Sequence, residues 1–195
     1  MPAVVSNDFI SESSAYDLAK VSSALLMAKK QAPDIDTPYL LIQGDFFGIQ
    51  NFIFASGGDT AKHAAKLLRG RSFYVSLMVE CAALKIVENL GLNSSSIVQN
   101  AAGKFLIVAG NTAQNILVLE KIQTELNEWF LKYTYGLSSL GLAWTAVDEE
   151  QFKLQDTDNN FQQVMKKLFA ALERKKLSNF DLCGSDLRPT VFESY

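Results

Sequence analysis

Four short β-type runs, set apart by two long stretches of helical periodicity, constrain this chain more than any other feature of its sequence. Tyr39-Leu40-Leu41-Ile42-Gln43 is a continuous apolar run ended by Gly44-Asp45, the pattern of a buried central strand. Ser96-Ile97-Val98-Gln99 and Lys104-Phe105-Leu106-Ile107-Val108-Ala109 flank a four-residue break, Asn100 to Gly103, and read as a hairpin. The fourth run, Leu140 to Val147, carries Trp144. A helical stretch from about Ala61 to Leu90 separates the first two runs. A second, from about Ala113 to Tyr133, places Ile116, Leu119, Ile122, Leu126 and Phe130 on one stripe behind Thr112 as N-cap. The order strand, helix, strand, strand, helix, strand predicts an α+β, ferredoxin-like βαββαβ fold, an antiparallel sheet with helices on one face.

Two flanking segments are expected around that domain, which spans 39–150. Residues 1–38 carry a helix from Tyr16 to Lys29, with Leu18, Val21, Leu25 and Met27 near one side. Pro33 to Pro38 ends it, because proline cannot continue a helix. Residues 151–195 begin with an amphipathic helix whose apolar face holds Phe161, Val164, Met165, Leu168 and Leu172, and run into a tail without periodicity. Its other face is basic, with Lys166, Lys167, Arg174, Lys175 and Lys176. A charge run of this kind reads first as a solvated face and second as a contact for a partner or RNA.

Charge and cysteine content exclude several function classes. Eighteen Lys and Arg against 21 Asp and Glu give a net charge of −3, which argues against unaided binding of naked nucleic acid. With two cysteines, Cys81 and Cys183, no Cys-x-x-Cys pair and the single His63, a zinc site of several Cys and His ligands is not expected. A reducing, cytoplasmic setting follows. The most apolar stretch, Phe73 to Ile86, is interrupted by Glu80 and Lys85, and no basic leader precedes an apolar run. No membrane span and no secretion signal are therefore predicted.

Two constellations could carry chemistry. Gly44-Asp45-Phe46-Phe47-Gly48-Ile49-Gln50 stands where the first strand gives way to a helix, and exposed amides at such a turn can bind phosphate. Asp45 is then placed to hold a metal or to cap the helix; the plainer alternative has the glycines serving backbone geometry and Asp45 acting as N-cap alone. The second is Leu68-Arg69-Gly70-Arg71-Ser72-Phe73-Tyr74. On a continuous helix the stripe of Ala64, Leu68, Val75, Met78, Ala82 and Ile86 would bury Arg71, and Gly70 would cost about 1 kcal/mol relative to alanine. A break at Arg69-Gly70 removes both conflicts. Ser72 would then start a new helix with two guanidiniums at its positive end, an arrangement unfavourable by about 0.3–1 kcal/mol per charge unless an anion neutralises it. The alternative is an unbroken helix with an exposed arginine pair. Gly57-Gly58-Asp59 before Thr60 reads as a turn, and His63 as a solvent-facing helix residue.

These motifs together resemble the first palm domain of the large subunit of type III-A CRISPR effector complexes, where the usual wording is Gly-Asp-Ile-Ser-Gly-Ile-Gln followed by Leu-Arg-Gly-Arg-Ser-Phe-Tyr. Ala102-Gly103-Lys104-Phe105 and Asn111-Thr112 are similar to its central hairpin and second helix start, and Tyr16-Asp17-Leu18-Ala19-Lys20 to a Tyr-Asp-His-x-Lys segment before it. The resemblance covers roughly residues 14 to 175. It implies a nucleotidyl-cyclase-like palm that pairs with a second palm of the same subunit, sandwiches ATP with it, and serves cyclic oligoadenylate synthesis in antiviral defence. In that family Mg or Mn belongs to the second palm's Gly-Gly-Asp-Asp site, and a separate His-Asp domain cuts single-stranded DNA. Neither motif occurs here, and the hairpin tip, Asn100-Ala101-Ala102-Gly103, carries no carboxylate. Leu18 stands at the usual histidine, and Phe46-Phe47 replace Ile-Ser, removing a serine hydroxyl.

The resemblance thus implies a non-catalytic half-site in which Gly44, Asp45, Phe46, Phe47, Gly48, Gln50, Arg69, Gly70, Arg71 and Ser72 face ATP, with no tightly bound cofactor and no catalytic or metal-ligating residue of its own. Its implied partners are the second palm, other subunits of the effector complex and, indirectly, guide and target RNA. The rival reading is a scaffold module that docks subunits and guide RNA without nucleotide.

Overall fold

The computed structural model describes residues 14–54, 64–152 and 160–177. The elements in chain order are α1 (Ala15–Gln31), β1 (Tyr39–Phe47), α2 (Ile49–Phe54), α3 (Ala64–Asn89), β2 (Ile97–Ala101), β3 (Lys104–Gly110), α4 (Ala113–Thr134), β4 (Ser139–Val147) and α5 (Asn160–Leu177). The strands form one sheet in the order β2-β3-β1-β4 with every neighbour antiparallel, which is the ferredoxin-like arrangement.

Strand alternation sends successive β1 side chains to opposite faces. Leu40, Ile42 and Phe46 enter one core with Val79, Ile86, Leu119 and Phe130 from α3 and α4. Tyr39, Leu41 and Phe47 enter another with Ala24 and Ala28 of α1 and Val164, Leu168 and Leu172 of α5. Helices therefore cover both faces, not the one face expected. The flanking helices supply the second layer because that side of the sheet is itself apolar. Helix α1 is buried at Ala24 and Ala28; of the predicted side, Leu25 packs half-buried against the same core, Leu18 and Met27 are half-buried, and Val21 is exposed. A Cβ at Gly110 would lie 2.4 Å from Gln31 Cβ, so small residues on both elements allow this close approach. Gln31 then pins the helix, accepting from Gly110 N at 2.9 Å and donating to Leu90 O at 2.7 Å.

β1 does not end at Gly44-Asp45. Gly44 pairs with Phe105 and Leu142, and Asp45 with Lys104 and Gly141, inside a continuous ladder. A Cβ at Gly44 would come within 2.2 Å of the Phe105 ring, so the glycine makes room for a neighbouring aromatic rather than a turn. The chain turns at Gly48 instead, at φ +79°, with the Leu137 carbonyl 2.6 Å from where a Cβ would stand. The hairpin break is also shorter than predicted. Only Ala102 and Gly103 form the turn, at φ 55° and 81°, the two positive values of a type I′ hairpin. Thr112 caps α4 as expected, accepting from Asn115 N at 3.1 Å.

Candidate nucleotide site

The Gly44–Gln50 segment is spread across the sheet rather than gathered in a loop. Gly44 lies under Phe105, while Phe46 and Phe47 are core side chains on opposite faces, 2% and 6% exposed. Gly48 is half-buried, Ile49 packs half-buried against the α3–α4 core, and Gln50 is exposed. Phe46 packs edge-on against Phe130 at 5.5 Å, fixing the strand end from which α2 departs.

Asp45 is not an N-cap. Its place in β1 turns its carboxylate to the α5 face, where Lys104 Nζ lies 3.3 Å away and itself sits 5.4 Å from the centroid of Phe169. Burial pushes the Asp45 carboxyl above its ordinary range, and the charge and hydrogen bond of Lys104, with the charge of Lys176, oppose that shift. This ion pair had no sequence signal, because only the β1–β3 register sets the two residues opposite each other.

The predicted break at Arg69-Gly70 is absent. Helix α3 runs unbroken through both arginines, and Ser72 is an interior residue whose carbonyl accepts from Ser76 Oγ at 3.3 Å. Gly70 faces open space, and the core contacts of Val75, Val79, Ala82 and Ile86 offset its helix cost of about 1 kcal/mol. The Arg71 conflict is resolved by a partner: its Nη1 donates to Ile53 O at 3.1 Å. That carbonyl is in the last turn of α2, so the guanidinium meets the negative end of a helix instead of crowding a positive one. Arg69 and Arg71, two positions apart, lie on different sides of α3, Arg69 exposed and Arg71 half-buried. The two motifs still come together, since Phe52 of α2 stacks on Tyr74 of α3 at 5.4 Å.

On α5, Lys166, Lys167, Arg174 and Lys176 are exposed, while Lys175 lies over the Trp144 ring at 5.4 Å. Gly57, Gly58, Asp59, Thr60, His63 and Cys183 fall outside the described residues. Among the described residues no group of three or more His, Cys, Asp or Glu could hold a metal ion, and no helix is long and apolar enough to cross a membrane.

This sheet, with its carboxylate-free hairpin tip and the α2–α3 junction beside the end of β1, matches known proteins over most of its length. The family described as Csm1 subunit domain B covers residues 38–190. The chain belongs to that family. It is 33% identical over 178 residues to the Cas10/Csm1 single-strand-specific deoxyribonuclease (subtype III-A) of Thermococcus onnurineus, covering 86% of this chain and 22% of the relative. It is 28% identical over 144 residues to the corresponding protein of Enterococcus italicus, covering 74% and 18%. Among solved structures, Csm1 of T. onnurineus superposes with a TM-score of 0.77 at 34% identity, covering 85% of this chain and 24% of that one. A Csm1–Csm4 cassette in complex with pppApA gives a TM-score of 0.79 at 29% identity, covering 89% and 26%. The chain thus spans about one fifth of the length of these curated relatives.

Proposed function

We propose that this chain is the nucleotide-binding, non-catalytic palm of a type III CRISPR large subunit, taking part in cyclic oligoadenylate synthesis when a second, catalytic palm stands against it. Residues 39–150 form the palm in this reading, flanked by 1–38 and 151–195. The observation that carries it is the α2–α3 junction, where Arg71 bonds Ile53 O and Phe52 stacks on Tyr74, which ties the short helix after Gly48 to the helix that carries Arg69 and Arg71. Gly48 and Gln50 would approach the nucleotide, Arg69 would meet its phosphates, and Arg71 would hold α2 in place. Gly44, Phe46 and Phe47 would act by shaping the strand end. Related Csm1–Csm4 cassettes have been solved with AMPPNP and with one ATP, which supports a nucleotide at this domain. Mg or Mn would enter with the catalytic partner, because the hairpin turn here is Ala102-Gly103.

Calorimetric titration of the chain with ATP tests the reading. Arg69→Ala is expected to weaken binding by about tenfold, the loss of one charge-assisted phosphate contact. Equal affinity of the variant and the parent would refute the assignment. A second reading, a module docking other subunits or guide RNA, is favoured by the exposed Lys166, Lys167 and Lys176 on α5. Pull-down of complex subunits that fails on charge reversal of these lysines, with no ATP binding by the chain, would select it.

A further inference from the structure

The sheet has two outer strands, and their edges are finished differently. On the β4 side Gln123, a buried side chain of α4, accepts from Leu142 N at 2.7 Å and donates to Leu140 O at 3.0 Å and to Asn127 Oδ1 at 2.8 Å. Its amide fills the place a further strand's peptide group would take. An open edge is a template for another strand, and here it is plugged.

On the β2 side no further strand is paired among the described residues, and a bulge between Ile97 and Gln99 confines the regular open edge to the stretch next to the hairpin turn. Ala101 pairs with Lys104 across the two-residue turn, so alternation directs the backbone N–H and C=O of Asn100 outward. Beside this edge lies a trough of about 460 Å³ lined by Tyr16, Lys20 and Ser23 of α1, Glu80 of α3, Ser95 and Asn100. Helices α1 and α3 pack on opposite faces of the sheet, so the trough crosses its rim with Lys20 on one wall and Glu80 on the other. The Asn100 side chain donates to Glu80 Oε2 and holds that carboxylate at the edge.

We propose that this trough receives an extended polypeptide segment that adds a strand to β2. Successive side chains of such a strand point alternately toward α1 and α3. The segment that fits therefore carries an acidic residue facing Lys20 and a basic residue facing Glu80, an odd number of positions apart. A single-stranded nucleic acid fits less well, because its phosphates would meet Glu80 in a chain of net charge −3 and would leave the outward Asn100 backbone groups unused.

The test is an NMR titration of the 195-residue chain with the peptide acetyl-Thr-Val-Glu-Lys-Val-Thr-amide. Amide shifts are expected at Val98–Ala101, Lys20 and Ser95 and not at Leu142–Ala146. The same peptide with alternate backbone nitrogens methylated should not bind, since it keeps its side chains and loses the ladder. Lys20→Glu should weaken the parent peptide by about tenfold, and a peptide with Lys in place of Glu should regain that loss. The proposal is overturned if β2 amides stay unmoved at millimolar peptide or if methylated and parent peptides bind equally. It is equally overturned if oligo(A) RNA moves the β2 amides where the peptide does not, or if raising the protein concentration alone produces the shifts.

Discussion

The two faces of the sheet are built from different materials. Under α3 and α4 the buried side chains that the strands send into the layer are apolar, from Leu40 and Ile42 to Phe105 and Ile107. Under α1 and α5 the same strands interleave apolar side chains with Gln43, whose buried Oε1 has no hydrogen-bond partner among the described residues, and with the Asp45–Lys104 pair. The difference teaches which face sets stability and which sets its response to conditions. Apolar burial is indifferent to pH, whereas a half-buried ion pair depends on the charge state of both members.

The largest expected effect sharpens the first half of that contrast. Phe130 is 2% exposed and packs on both Phe46 and Trp129. Phe130→Ala should cost about 3–5 kcal/mol of unfolding free energy by urea denaturation, equally at pH 5 and pH 8. A loss that varies with pH would break the contrast. On the other face Lys104→Met removes the cation from a carboxylate 14% exposed. Its cost at neutral pH should be about 1 kcal/mol, kept modest because much of the Lys104 side chain remains in water, and it should shrink in acid as Asp45 protonates.

The smallest effect concerns Asp45 alone. Its folded carboxyl is raised above the unfolded value of 3.8 by burial, so the native state holds the proton more tightly than the unfolded chain. The contribution to stability is then full below the unfolded value and is lost as pH rises through the folded one. Asp45→Asn should remove this dependence, so the melting temperature of the variant, measured against the parent by calorimetry, should gain as pH climbs from about 4 through that window and then level off. A difference flat across the range would show that burial does not govern this group.

Much of the fold could be read in the residues themselves. The continuous apolar run of Tyr39–Ile42, the β-type run of β3, Thr112 before an amphipathic stretch and the stripe ending in Phe130 are local signals, and each element stands close to where those signals put it. The errors cluster at glycine and arginine. In sequence Gly44 is indistinguishable from a turn residue, because Phe105 crosses it only in the sheet, and Gly70 with Arg71 reads as a break, because only the fold brings Ile53 O to the guanidinium.

Composition and periodicity determined the class of fold, its element order and the absence of a carboxylate at the hairpin tip, because these depend only on near neighbours along the chain. Register, the second helical layer, the union of Asp45 with Lys104 and the contrast between a plugged and an open sheet edge were decided in three dimensions. Each of these depends on groups far apart in sequence, such as Gln123 and Leu142 or Lys20 and Asn100, whose meeting no local pattern encodes.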